Sequence, residues 1–276
     1  MGGGSYSTLA ASSRSLHTYS HMSREEKFSQ RNLSPDMDPS KFEFRESCDS
    51  EEHPESFPII IALDETGSMG SIPDHLITSL FPGIMDKIMK AGVSNPQVCF
   101  VGIGDCEGCR EQAPIQCGQF ASSDELMEKW LKKIFLEGRG GGNGGESYNL
   151  AWYFAAKRTK IDSFSKRNKK GCLITIGDEP CLSYIERDSI RTYFGDSVES
   201  DITTSDILKE AQKEWDIYHI HCEGSHTYRV DETNWKDLLG EHLYLSNDRN
   251  ADDLLDLIPA IVNRSYHDGP KLKAGD

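Results

Sequence analysis

The sequence predicts an α/β fold: a doubly wound, mostly parallel sheet with helices on both faces and one antiparallel edge strand. Three observations carry that expectation. From Phe57 to about Arg264, short apolar runs alternate with amphipathic stretches of helical period. The runs "FPIIIAL" (57–63), "QVCFVGIG" (97–104) and "GCLITIG" (171–177) are apolar without alternation, as suits strands covered on both faces. One further run, "APIQCGQF", is short and weakly alternating, which suits an antiparallel edge.

The elements follow in order. After the first strand, "IPDHLITSLFPGIMDKIMKAG" places Ile72, Leu76, Leu80, Ile84 and Ile88 at helical spacing and stops at Gly92. The strand at 97–104 and the edge run come next. "SSDELMEKWLKKIF" opens on Ser and acids and gathers Leu126, Trp130, Leu131 and Ile134 on one face, a capped helix. A glycine-rich stretch, "EGRGGGNGG", leads into the helix "ESYNLAWYFAAKR" and then the strand 171–177. "SDILKEAQKEW" and "DIYHIHC" form another helix and strand, "TNWKDLLG" and "HLYLS" repeat the pair in miniature, and "DDLLDLIPAIVNR" closes with a helix. Residues 1–54 are rich in Ser, Arg, Glu, His and Asp with almost no apolar periodicity, and are expected to be a flexible arm. The domain is expected over 55–266, with a tail at 267–276.

Composition excludes several functions. Thirty Lys plus Arg against 45 Asp plus Glu leave a formal net charge of -15, which repels phosphate backbones and anionic headgroups, so neither nucleic acid nor membrane is an expected partner. No stretch approaches the roughly 20 apolar residues of a membrane span, and the N-terminus has no continuous apolar core of a signal peptide. It resembles a myristoylation signal, but Tyr6 stands where that signal wants Ser or Thr. Eight cysteines without a signal peptide read as reduced thiols of a cytoplasmic protein. Cys106 and Cys109 have Cys-x-x-Cys spacing with Cys117 nearby, but no second pair follows, so a turn with free thiols is preferred to a zinc site.

Ligands of open parallel sheets bind at the carboxyl ends of the strands. Two strands here end in an acid: "IALDETGSMG" at Asp64 and "LITIGDEP" at Asp178. Thr66 and Ser68 follow Asp64 at every second position, and Asn143 lies in the glycine-rich loop between the two strands. All five side chains offer hard oxygen donors, with no histidine or thiolate among them, which suits Mg²⁺ or Mn²⁺. Glu65 and Glu179, beside the ligands, are expected to be solvated rim acids. His219 and His221 share one face of a strand and are expected to be buried, hydrogen-bonded histidines.

Asp-x-Thr-Gly-Ser-Met-Gly after an apolar strand, then a Gly-rich loop, then an Asp ending a later strand, resembles the metal-ion-dependent adhesion site of von Willebrand factor type A domains, including those of bacterial and phage proteins. The resemblance implies a Rossmann-like sheet with one antiparallel edge strand and covers roughly three quarters of the chain. It implies that Asp64, Thr66 and Ser68 fill the family's Asp-x-Ser-x-Ser positions, with Thr in the middle. Asn143 stands where the family has Thr or, in a Gly-Gly-Gly-Asp loop, Asp; the ion would then meet two carboxylates only, Asp64 and Asp178. The implied function is metal-dependent protein binding, without catalysis, in which a partner's acidic side chain completes the coordination.

The competing class is a Mg²⁺-dependent, phosphatase-like hydrolase. "DETGS" resembles the aspartyl-nucleophile motif of haloacid-dehalogenase phosphatases, with Asp64 as nucleophile, but Thr66 occupies the position of that family's general acid. No P-loop lysine follows the glycines, and no nucleophile elbow is present.

Overall fold

A computed structural model of the chain describes residues 6–17, 21–28, 30–106, 113–136, 145–222, 228–246 and 251–268. Six strands form the central sheet: β1 (Phe57–Asp64), β2 (Pro96–Ile103), β3 (Ile115–Cys117), β4 (Gly171–Gly177), β5 (Trp215–Cys222) and β6 (Leu243–Ser246). Their spatial order is β6-β5-β4-β1-β2-β3, with only β3 antiparallel to its neighbour. The chain runs outward from β1 to β2 and β3, then returns to β1's other side with β4. The order therefore reverses between β1 and β4.

Eight helices matter here: α1 (Thr8–His17), α2 (Phe81–Lys90), α3 (Asp124–Leu131), α4 (Tyr148–Lys157), α5 (Arg187–Phe194), α6 (Thr204–Ala211), α7 (Tyr228–Leu239) and α8 (Leu254–Asp268). Every residue of β1 is buried because successive side chains enter two separate cores. Ile59, Ile61 and Leu63 pack with Ile84 and Ile88 of α2, Met127 of α3 and Ile258 and Val262 of α8. Ile60 and Ala62 pack with Leu150 and Phe154 of α4, Ile190 of α5, Ile207 of α6 and Trp235 of α7. An apolar run without alternation is the sequence consequence of this two-sided burial. Ser123 caps α3 as expected, its Oγ accepting from the Leu126 N–H at 3.4 Å.

One expectation needs correction, and two elements were not foreseen. The continuous helix expected from Ile72 is broken into Ile72–His75, a wide π-helical turn at Leu76–Leu80, and α2. Pro82 is the cause: it has no N–H to give and its ring crowds the carbonyl four residues back, at Thr78, so the turn before it opens. The helix α5 and the small antiparallel ribbon of Tyr184–Ile185 with Ile202–Thr203 were not foreseen.

Residues 1–54, expected as a flexible arm, make several contacts with the domain where they are described. Met37 is completely buried and its carbonyl accepts from the Cys117 N–H at 2.8 Å. The Arg45 guanidinium lies over the Phe42 ring at 3.7 Å and donates to the Cys117 carbonyl at 3.1 Å. Arg45–Ser47 pairs in parallel with Thr159–Ile161. Arg14 of α1 bonds Asp124 and reaches Glu128 of α3 at 2.6 Å. Periodicity did not reveal this because the anchors, Phe28, Met37 and Phe42, are inserted one at a time from irregular chain rather than aligned on a helix or strand face. Beyond Asp268 the expected tail lies outside the described residues.

Candidate metal centre

The reversal of strand order between β1 and β4 opens a crevice at their carboxyl ends, where a doubly wound sheet takes its ligands. β1 delivers Asp64 there and the residue after β4 is Asp178. Both side chains are buried, 0% and 1% exposed. The Thr66 N–H and Oγ1 both donate to Asp64 Oδ1, at 2.8 and 2.6 Å, so the chain turns back at once. Thr66 Oγ1 and Ser68 Oγ are 3.1 Å apart, and Ser68 Oγ donates to Asp178 Oδ1 at 2.8 Å. Four of the five expected ligands are thus brought into one relay, closed at the carboxylates and open to solvent at Ser68, which is exposed. Asn143 and the rest of the glycine-rich loop, 137–144, lie outside the described residues.

The charged form of Asp64 is costly where it lies. Burial pushes its carboxyl up to about 6; hydrogen bonds from Thr66 and Tyr148 oppose the shift and the neighbouring Asp178 adds to it. Every hydrogen bond the structure gives Asp64 comes from a neutral donor. Two carboxylates and two hydroxyls whose protons are directed at those carboxylates make a hard-oxygen set, and a divalent ion of the Mg²⁺ or Mn²⁺ kind fits it. Among the described residues no group of three or more His, Cys, Asp or Glu side chains is arranged to hold a metal. Cys106 and Cys117 are both buried, and Cys109 lies outside the described residues.

The neighbours of the ligands differ in part from expectation. Glu65 is not a solvated rim acid: it is 3% exposed, its carboxylate accepts from Gln116 Nε2, and it lies against Gly102, where an added Cβ would come within 2.3 Å of it. Gln116 also exchanges hydrogen bonds with the Phe135 backbone, 2.9 Å from its N–H and 2.8 Å to its carbonyl. Glu65 therefore anchors the turn after β1 to the chain entering the glycine-rich loop. Glu179 is half-buried and its carbonyl accepts from Trp235 Nε1 at 3.0 Å.

His219 and His221 are buried in β5, as expected. His219 Nδ1 lies 2.9 Å from Thr175 Oγ1, and its ring stacks on Trp235 with centroids 3.5 Å apart. Burial first, then His221 beside it, holds the His219 imidazole well below its ordinary range, hence neutral.

Sequence reasoning missed Tyr148. Its hydroxyl donates to Asp64 Oδ2 at 2.7 Å, on the side of the carboxylate away from Thr66 and Ser68. Burial, then the charge of Asp64, drives its phenol far above the usual range, so it remains a donor. The available signal was Gly177, a glycine inside a buried strand immediately before a ligand, which marks the close approach of another group. An added Cβ there would lie 1.8 Å from the Tyr148 hydroxyl oxygen.

No protein-family model matches the sequence, and no curated protein matches it. Among solved structures the chain is similar to the pilus adhesin SpaC of Lactobacillus rhamnosus GG, open conformation, at 11% identity and a TM-score of 0.55, over 79% of this chain and 31% of the adhesin. It is also similar to proximal thread matrix protein 1 of the mussel byssus, at 12% identity and a TM-score of 0.47 over 78% and 49% of the two chains. An aerotolerance-related membrane protein of Bacteroides fragilis carrying multiple mutations to serines matches at 16% identity and a TM-score of 0.42, over 76% of this chain and 100% of its own. The chain spans about a third of the adhesin's length. At such identities the likeness is one of fold, and the fold is the one expected: a Rossmann-like, doubly wound, mostly parallel sheet with one antiparallel edge strand. Among the described residues no helix is long and apolar enough to cross a membrane.

Proposed function

We propose that the chain is a divalent-cation-dependent protein-binding module. In this reading Asp64, Thr66, Ser68 and Asp178, joined by Asn143 from the glycine-rich loop, hold Mg²⁺ or Mn²⁺. The observation that carries the reading is the relay Asp64–Thr66–Ser68–Asp178 at the reversal of strand order, closed at two buried carboxylates and open at Ser68. The fold shared with a pilus adhesin supports a binding role. Bound there, the ion supplies a Lewis-acidic position at which an acidic side chain of a partner protein can coordinate. The chain's own charge of -15 disfavours the approach of an acidic group, and a bound cation offsets that repulsion locally. The buried thiols of Cys99, Cys117, Cys172, Cys181 and Cys222 support a cytoplasmic setting.

The hydrolytic alternative has less support. Thr66, two residues after Asp64 where the general acid would have to stand, gives its hydroxyl proton to Asp64 Oδ1 and has none to supply to a leaving group. The test is calorimetric titration with Mg²⁺ and Mn²⁺ on the wild type and on an Asp64→Ala/Ser68→Ala double variant, followed by capture of partners in Mg²⁺ and in EDTA. Metal binding by wild type alone, with a partner held only in Mg²⁺, is the expected outcome. Mg²⁺-dependent phosphatase turnover abolished by Asp64→Asn would replace this reading with the hydrolytic one.

A further inference from the structure

The stretch 179–182, which follows Asp178, belongs to no helix or strand, yet its backbone is bonded from two sides. On one side the Glu146 N–H donates to the Pro180 carbonyl at 2.9 Å, and the Glu146 carbonyl accepts from the Leu182 N–H at 3.2 Å. On the other side stand two consecutive residues of α7. The Trp235 indole N–H donates to the Glu179 carbonyl at 3.0 Å. The Asn234 carboxamide accepts from the Cys181 N–H at 3.1 Å and donates to the Cys181 carbonyl at 3.4 Å. One side chain thus takes both polar groups of one residue, as a neighbouring strand would. Trp235 is fixed in its turn: it is completely buried, stacks on His219 with centroids 3.5 Å apart, and meets Tyr148, the donor to Asp64, edge to face at 5.2 Å. A single indole therefore supports both the turn that carries Asp178 and the phenol that holds Asp64. The two carboxylates repel each other when both are charged, so their spacing rests on the groups that hold each turn.

We infer that Asn234 and Trp235 are positioning residues for Asp178, and that through them cation affinity depends on the docking of α7 against the 179–182 turn. The inference rests on the cation-site reading above, and it holds whether Asp178 meets the ion directly or through a bound water. Mg²⁺ demands near-octahedral geometry, so it discriminates sharply against oxygens that are not held in place. Freed from Asn234 and Trp235, the turn presents Asp178 in a spread of positions, and the ion then has to order it on binding. Linkage makes the effect reciprocal: an ion that is held better when α7 is docked also holds α7 in its docked position.

The experiment is calorimetric titration of the full chain with Mg²⁺, on the wild type, Asn234→Ala and Trp235→Phe, with circular dichroism to confirm the fold of each. Asn234 is only half-buried, so its truncation leaves the core intact and carries the test even if Trp235→Phe fails to fold. Trp235→Phe keeps a ring in the core and removes the N–H. Each variant is expected to bind Mg²⁺ about tenfold more weakly, the low end of the range for groups that bond a metal ligand itself. The second readout is the Trp235 indole N–H resonance of the isotope-labelled wild type, identified by its loss in Trp235→Phe. It should shift as Mg²⁺ is added, with the midpoint found by calorimetry. A merely structural role lowers the melting temperature of the variants but moves neither quantity. Unchanged Mg²⁺ affinity in folded Asn234→Ala, or an indole resonance that ignores the ion, overturns the inference while the cation site stands. A wild type that binds no Mg²⁺ removes the cation site, and the inference with it.

Discussion

Gly102→Ala probes the anchor beneath the turn that carries Thr66 and Ser68. An alanine Cβ at this position would lie 2.3 Å from Glu65 Oε1, 2.6 Å from its Cδ and 2.8 Å from Oε2. All three distances are inside van der Waals contact, so the whole carboxylate must leave. The obstructing atoms are the tip of a flexible side chain rather than backbone, so β2 itself need not break. The cost is then the hydrogen bond Glu65 accepts from Gln116, in a place where the side chain is 3% exposed. A hydrogen bond to a charged group contributes about 1.5–3 kcal/mol, and that is the loss of stability expected. Equilibrium urea unfolding measures it, with an unchanged slope showing that the denatured state is unaltered. The control is the same substitution in a Glu65→Ala background, where nothing remains to be displaced and the added methyl should cost less than about 0.5 kcal/mol. Equal costs in the two backgrounds would refute the reasoning.

Asp64 makes metal-free stability depend on pH. Its carboxyl is pushed up to about 6 from 3.8, so the folded chain holds a proton the unfolded chain has lost between those values; the contribution of Asp64 to stability is greatest below about pH 4 and is lost as pH rises through 6. The full cost is about 3 kcal/mol and the part lost between pH 5 and 7.5 about 1 kcal/mol. In EDTA, the fall in melting temperature over that interval should be larger for wild type than for Asp64→Asn; identical falls would contradict it. Mg²⁺ at 100 times its dissociation constant should stabilise the wild type by about 2.7 kcal/mol at neutral pH and the Asp64→Ala/Ser68→Ala variant by nothing, as differential scanning fluorimetry would report. Met37→Ala should cost about 2–5 kcal/mol in urea unfolding, because the side chain is completely buried; no cost would mean that this stretch is not docked.

The fold was legible because two-sided burial leaves a plain mark. "FPIIIAL" and "GCLITIG" show no alternation, and β1 and β4 are the sheet's inner strands. The relay was legible for a local reason: Asp64, Thr66 and Ser68 are two residues apart, so one tight turn suffices to gather them. What stayed hidden depends on contacts between distant segments. Tyr148 reaches Asp64 across 84 positions and Gln116 reaches Glu65 across 51, and neither distance has a sequence period. Glu65 illustrates the error: adjacency to a ligand suggested a side chain pointing to water, but in a strand end the opposite face is the interior. Pro82 was legible in principle, since a proline ten residues into a helical pattern disturbs the turn before it.

The pairing of Arg45–Ser47 with Thr159–Ile161 imposes an order on synthesis. The earlier strand leaves the ribosome first, and its partner follows some 112 residues later, a wait of roughly 6–22 s at 5–20 residues per second. Through that interval the N-terminal segment lacks its ladder partner, while Met37 waits a shorter stretch, about 80 residues or roughly 4–16 s, for the Cys117 backbone. Its polar, weakly apolar composition keeps the nascent chain from collapsing onto itself or onto neighbouring chains while the domain is completed. The same composition that made this segment look like a free arm suits it to wait for partners made later in the chain.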